Sequence, residues 1–265
     1  MSLEPKVYIV GAGPGDPDLI TVKGLRILQE ADVVVYTDSL VSQDLVARAK
    51  IDAQIYPSAG MTLEEIAQTM ISHVRRGESV VRLHTGDPAV FGATFEQMAL
   101  LREKGVPFEV VPGVSSVFAS AAVLGVELTI PELTQTVIFT RAEGRTPVPE
   151  KERLAELARH HTTIALFLSA TLAKKVTREL ITAGWSEETP VAVVQRATWP
   201  DQKVVRTTLG RLDQDMREAG IRSHAMILAG WALDPDLEEK GTYRSKLYDK
   251  TFTHSYRRGV NSHEQ

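Results

Sequence analysis

Apolar and polar positions fall into two alternating kinds of segment along the first half of the chain. Short apolar runs, Lys6-Val7-Tyr8-Ile9-Val10, Asp32-Val33-Val34-Val35-Tyr36, Ala53-Gln54-Ile55-Tyr56, Ser79-Val80-Val81 and Pro107-Phe108-Glu109-Val110-Val111, read as strands. Between them lie stretches of helical period, residues 21–31, 62–76 and 91–103, the last with apolar side chains at Phe91, Phe95, Met98 and Leu101. Thr62 and Glu65 have capping-box spacing, and Gly77 stands where that helix should stop. A helix of small residues is predicted over 114–122. Strand and helix alternating at this interval predict a largely parallel sheet with helices on both faces.

A second pattern begins beyond residue 134. Strands are predicted at 135–140, 162–168, 190–195, 203–208 (a hairpin-like return) and 224–229, and helices at 151–159, 171–182 and 209–219. The expected fold class is α/β, with two α/β domains of mainly parallel sheets spanning 1–113 and 114–240. A polar tail, 241–265, carries Tyr243, Leu247, Tyr248 and Phe252 and is expected to pack on the body or on a partner chain.

Composition narrows the function classes. Net charge is −4, so no global basic field argues for nucleic acid. The chain has no cysteine, which excludes disulfides, thiolate metal sites and cysteine nucleophiles. No apolar run reaches membrane-spanning length and no signal-peptide pattern opens the chain, so a cytoplasmic protein without a membrane partner is expected.

Two glycine-bearing turns follow strands, where open α/β sheets bind ligands: Gly11-Ala12-Gly13-Pro14-Gly15-Asp16-Pro17 and Thr85-Gly86-Asp87-Pro88. The first is not a dinucleotide fingerprint, because Asp16 replaces the third glycine and Pro14 lacks the N–H that pyrophosphate would use. An adenosine-bearing ligand without phosphates remains compatible. Asp87 offers a carboxylate suited to an amine or sulfonium; as a plain helix entry it would instead cap, with Pro88 in the first turn. Asp38, after the second strand, points toward the same rim. Ser115 and Ser116 either cap their helix or meet a ligand.

No P-loop and no nucleophile elbow occur. His160-His161 reads as a surface turn, His84 as a satisfied strand-end histidine, and no metal site is expected. Arg82, Arg141, Arg145 and Arg196 all lie near strand ends and would suit a carboxylate-rich substrate.

Four ordered blocks carry a family resemblance: residues 10–17, the run Arg82-Leu83-His84-Thr85-Gly86-Asp87-Pro88-Ala89-Val90-Phe91-Gly92, Val111-Pro112-Gly113-Val114-Ser115-Ser116 and Val194-Gln195-Arg196-Ala197-Thr198. Together they resemble the tetrapyrrole (corrin and sirohaem pathway) methyltransferases over nearly the whole chain. Within that family, Tyr36-Thr37-Asp38-Ser39-Leu40-Val41, the loop 140–147 and the tail run Ser245-Lys246-Leu247-Tyr248-Asp249 are most similar to the branch that methylates carbon 11 of the precorrin-4 ring, with or without cobalt.

The resemblance implies a homodimeric enzyme that binds S-adenosylmethionine between two α/β domains, releases S-adenosylhomocysteine and takes a small-molecule tetrapyrrole as substrate. It implies cofactor contacts at Pro14, Thr85, Gly86, Asp87, Val90, Ser115, Ser116, Leu168 and Ala197. Relatives acting on uroporphyrinogen carry an aspartate after the second strand and a lysine after the third. Asp38 fills the first role with a one-residue offset, as the candidate catalytic proton acceptor. Ile55-Tyr56-Pro57-Ser58-Ala59 offers no lysine, which separates this chain from that subgroup.

Overall fold

The computed structural model describes residues 3–237 and 243–260; of the expected tail, 241–242 and 261–265 lie outside these. The described chain forms two compact units, residues 1–123 with 196–203, and residues 124–195 with 204–265. The sequence placed a boundary at 113. The first unit instead keeps most of the helix that follows and also takes in 196–203.

In the first unit β1 (Val7–Gly11), α1 (Val22–Glu30), β2 (Val33–Tyr36), α2 (Gln43–Val46), β3 (Gln54–Pro57), α3 (Leu63–Arg75), β4 (Val80–His84), α4 (Thr94–Glu103), β5 (Phe108–Val111) and α5 (Ser116–Leu124) follow in order. Thr21 caps α1 at Gly24 N, and Thr62 and Glu65 close the capping box of α3. The sheet order is β3-β2-β4-β1-β5, parallel at every pairing.

That order fixes where a ligand crevice can form. From β1 the chain steps one way through β2 to β3, then reverses through β4 to β5. Right-handed crossovers therefore put α1 and α2 on one face and α3 and α4 on the other. Packing follows this division: Tyr8, Val10, Val34 and Leu83 bury against Ile27, Leu28 and Leu45, while Val7, Ile9, Val33 and Val80 bury against Ile66, Met70 and Leu101. The direction reverses at the carboxyl ends of β1 and β4, the position where α/β sheets open a binding crevice.

The second unit contains β6 (Val137–Arg141), α6 (Leu154–Leu157), β7 (Thr163–Phe167), α7 (Ala173–Thr182), β8 (Pro190–Gln195), β9 (Lys203–Thr208), α8 (Leu212–Glu218) and β10 (Ala225–Ala229). Its sheet order is β6-β7-β10-β8-β9. β6 and β7 are parallel, whereas β10 sits between β7 and β8 and is antiparallel to both. β10 is buried along its whole length. A strand covered on both faces is a continuous apolar run, and such a run carries no sign of its direction. The helix expected over 151–159 is reduced to α6 flanked by two 3-10 turns. No described helix is long and apolar enough to cross a membrane.

Candidate functional site

The two glycine-bearing bends meet. Ala12 N donates to His84 O at 2.6 Å, Gly86 N to Gly13 O at 2.8 Å and Gly13 N to Gly86 O at 3.3 Å, an antiparallel bridge beyond the ends of β1 and β4. A third bend, after β5, joins them. A β-carbon on Gly11 would lie 2.6 Å from Gly113 Cα, and one on Gly113 would overlap Gly86 O. Gly86 itself has φ +61°, which glycine adopts without steric cost. Three backbones thus pack at contact distance with no side chain between them.

Asp87 locks this arrangement. Its Oδ2 accepts from Gly113 N and its Oδ1 from Ala89 N, both at 2.8 Å. The helix expected from Phe91 starts only at Thr94, because Phe91 and Ala93 hold φ values of +51° and +47°. Asp87 is therefore not the cap of α4; it is a strut between two bends, with lone pairs left on each oxygen. A β-carbon on Gly86 would meet Ser115 Cα and Ser116 N at 3.9 Å, so this bend lies in van der Waals reach of the amino end of α5.

Residues 196–203 close over the first bend. Trp199 Nε1 donates to Pro14 O at 2.9 Å, and Thr198 Oγ1 accepts from Asp16 N at 2.9 Å. The indole lies where a β-carbon of Gly15 would be. Arg196 is not presented as a free cation: it pairs with Asp201 at 3.0 Å and stacks over the Trp199 ring at 4.2 Å. Arg196 and Thr198 both have positive φ, flanking the buried Ala197. Backbone held in such regions costs about 1–3 kcal/mol per residue and clusters at binding sites.

Arg82 departs from expectation. It was expected at the rim to meet substrate carboxylates, yet only 4% of it is exposed. Nε donates to Gln97 Oε1 at 3.0 Å, and Nη1 to Ser58 Oγ at 3.1 Å and Val35 O at 3.4 Å. Nη2 reaches Thr37 Oγ1 at 3.4 Å. These partners are all neutral, and burial pushes the guanidinium down to about 10. Arg82 ties the ends of β2, β3 and β4 together from beneath. Asp38 is exposed and accepts from Ala59 N at 2.8 Å. His84 is buried; burial, then the nearby Arg82 charge, lowers its pKa, opposed by hydrogen bonding to the Thr85 and Gly92 backbone. Ser115 is buried, with Oγ 3.4 Å from Val117 N, a weak cap of α5, and Ser116 is half-buried.

Three expected site residues lie in the second unit. Leu168 is 71% exposed at φ +50°. Arg141 donates to Thr146 O at 3.1 Å and Pro147 O at 2.6 Å, folding its loop back on itself, and Arg145 in that loop is exposed.

Sequence reasoning missed Trp199 and Thr198 as partners of the first bend, and Gln97 and Ser58 as partners of Arg82. Their contacts bridge up to 185 residues of chain, and no local pattern encodes such a pairing. The one available signal was Gly15, a third glycine in a turn that geometrically needs fewer.

An all-parallel sheet with a glycine-locked, carboxylate-bearing rim at its switch point defines a ligand-binding α/β protein of small-molecule type. The chain belongs to the tetrapyrrole (corrin/porphyrin) methylases, whose family model matches residues 6–213. It is 67% identical over 257 residues to a cobalt-precorrin-4 C(11)-methyltransferase of Priestia megaterium, covering 97% of this chain and 99% of that one. Among solved structures it is similar to a cobalamin biosynthetic enzyme, cobalt precorrin-4 methyltransferase, with TM-score 0.86 and 67% identity over 87% of this chain and 97% of that one. A uroporphyrin-III C-methyltransferase from Thermus thermophilus, complexed with S-adenosyl homocysteine, matches with TM-score 0.73 and 32% identity, over 86% of this chain and 98% of that one.

Proposed function

We infer that the chain is an S-adenosylmethionine-dependent methyltransferase acting at carbon 11 of precorrin-4 or its cobalt form, in cobalamin biosynthesis. The observation that carries this is the locked rim itself. Asp16 and Asp87 place carboxylates where a nucleotide site needs phosphate-facing donors, and Gly86 lies within 4 Å of the amino end of α5. Those carboxylates repel pyrophosphate and suit an adenosyl group bearing an amine and a sulfonium.

Pro14, Thr85, Gly86, Asp87, Val90, Ser115, Ser116 and Ala197 of the first unit, and Leu168 of the second, are the residues we assign to the cofactor. When bound, S-adenosylmethionine supplies an electrophilic methyl group on sulfur. The chain's own part is to align ring carbon and methyl, to exclude water and to handle one proton. Asp38, exposed and steadied by Ala59 N, is the assigned proton acceptor. Arg141 and Arg145 are assigned to peripheral substrate carboxylates, whereas Arg196, expected to join them, is held by Asp201 and Trp199. Arg82 supports the rim on which Asp38 stands. Assembly as a cytoplasmic homodimer belongs to the same reading and rests on family membership.

Incubation of the purified protein with S-adenosylmethionine and precorrin-4, with or without cobalt, is expected to give product carrying one added methyl at carbon 11. Methylation of precorrin-2, precorrin-3 or uroporphyrinogen III instead would replace this substrate, and tight binding without turnover would make the chain a regulator. Asp87→Ala is expected to abolish measurable S-adenosylhomocysteine binding by calorimetry. Asp38→Asn should lower kcat about 100-fold with cofactor affinity unchanged.

A further inference from the structure

Residues 243–260 form a loop that holds its own shape. Val260 N donates to Lys250 O at 2.9 Å and Gly259 N to Thr253 Oγ1 at 2.9 Å, so the second half of the loop, 250–260, closes on itself. Arg257 donates to Leu247 O at 2.9 Å and also to Asp249 O. His254 and Arg257 pair through their backbones.

Closed in this way, the loop turns its chemistry outward. Tyr248 is 81% and Tyr256 97% exposed, with Leu247, Phe252 and Val260 also uncovered. Arg244, Lys246, Lys250 and Arg258 are exposed as well. The segment has five Arg and Lys against one carboxylate, in a chain whose net charge is −4. That carboxylate, Asp249, is exposed but engaged locally, its Oδ1 accepting from Thr251 N and Thr251 Oγ1 at 2.7 Å each. The outer surface is therefore mainly cations interleaved with aromatic rings, with one carboxylate among them. A loop that spends its hydrogen bonds on itself while leaving two tyrosines in water is built for a partner that brings both negative charge and a flat apolar surface.

We propose that this loop binds the polycarboxylate macrocycle, its cations meeting the peripheral carboxylates and its aromatic side chains the ring face. The proposal rests on the tetrapyrrole substrate class inferred above. The test uses the full chain with Lys246, Lys250 and Arg258 replaced together by Gln, and separately with Tyr248 and Tyr256 replaced by Ala. All of these are exposed, so folding should be preserved, and a melting curve checks it.

With precorrin-4 as substrate, both variants should raise KM for the macrocycle about five- to tenfold, in line with a few exposed charge-assisted contacts, while KM for S-adenosylmethionine is unchanged. The wild-type effect should weaken with added salt, and the triple Gln variant should lose that salt dependence. An unchanged macrocycle KM in both variants overturns the proposal. So does a shift in sedimentation with macrocycle KM intact, which would assign the loop to a second copy of the chain. Should wild-type enzyme fail to turn over precorrin-4, the functional reading falls on its own. The loop is then judged by fluorescence titration with uroporphyrin III, a stable flat polycarboxylate: equal affinity of wild type and variants rejects it, and a five- to tenfold loss supports it.

Discussion

The loop ends of the two units are held by different means. In the first unit the bends after β1, β4 and β5 meet backbone to backbone, through Gly11, Gly13, Gly86 and Gly113, with Asp87 as a side-chain strut between the last two bends and Trp199 and Thr198 covering the first. In the second unit the loops after β6 and β7 are fixed by side chains reaching backbone. Ser169 Oγ accepts from Ala142 N at 2.9 Å and donates to Phe167 O at 2.7 Å, and Lys175 Nζ donates to Glu143 O at 2.6 Å. Contact between backbones leaves no slack for a methyl group, while a side-chain tie can be lost singly. The first rim should therefore fail as a whole and the second in increments.

The largest effect that tests this contrast is Gly113→Ala. Its new methyl would overlap Gly86 O, a backbone atom that cannot rotate away, so we expect destabilisation of about 3 kcal/mol or more, measured by denaturant unfolding. A loss under about 1 kcal/mol would show the bends to be yielding and would erase the contrast. Next comes Ser169→Ala in the second unit. Ser169 is fully buried, and removing its hydroxyl leaves Ala142 N and Phe167 O without that partner, at about 1–2 kcal/mol.

A smaller effect tests whether the first unit's rigidity is confined to its rim. At the far end of the sheet Asp32 accepts from Ser79 N at 3.0 Å, from Ser79 Oγ at 2.7 Å and from Lys50 at 3.1 Å. The Ser79 N–H, then its hydroxyl, lower the Asp32 pKa below the ordinary aspartate range. The ionised form is thus the one that folding favours. Its contribution is present above the unfolded pKa and disappears as pH falls through the folded one. The carboxylate is 39% exposed, so solvent screening keeps Asp32→Asn under about 1 kcal/mol at neutral pH. The gap to wild type should close in strong acid. The smallest effect is Gly144→Ala, in the second unit's charged loop. Only Leu172 Cδ1, at 3.4 Å, lies near its added methyl, so stability should change by less than about 0.5 kcal/mol.

This contrast also marks what the sequence could disclose. Strand and helix positions in the first unit were legible because apolar runs alternate with capped helical periods, as at Thr62 and Glu65. The bends were legible because glycine, proline and aspartate each have a narrow set of uses in turns. The partners of those bends were not. Nothing local says that Asp87 spends both oxygens on backbone, that Arg82 lies under the sheet edge rather than on it, or that Trp199 returns to Gly15. Those facts depend on strand order, and strand order follows from pairing across the fold. The antiparallel insertion of β10 was hidden for the same reason.

The placement of the three tryptophans gives the molecule a set of built-in light sources. Trp185 is buried in the core of the second unit, with Nε1 on Ala158 O; Trp231 is half in water; and Trp199 sits on the first bend beneath the Arg196 guanidinium. Each indole samples a different surrounding, dry, wet or cationic, so their emission colours are separable. Chains retaining one indole at a time would let a spectrometer follow each unit unfold by its own signal, with no dye attached.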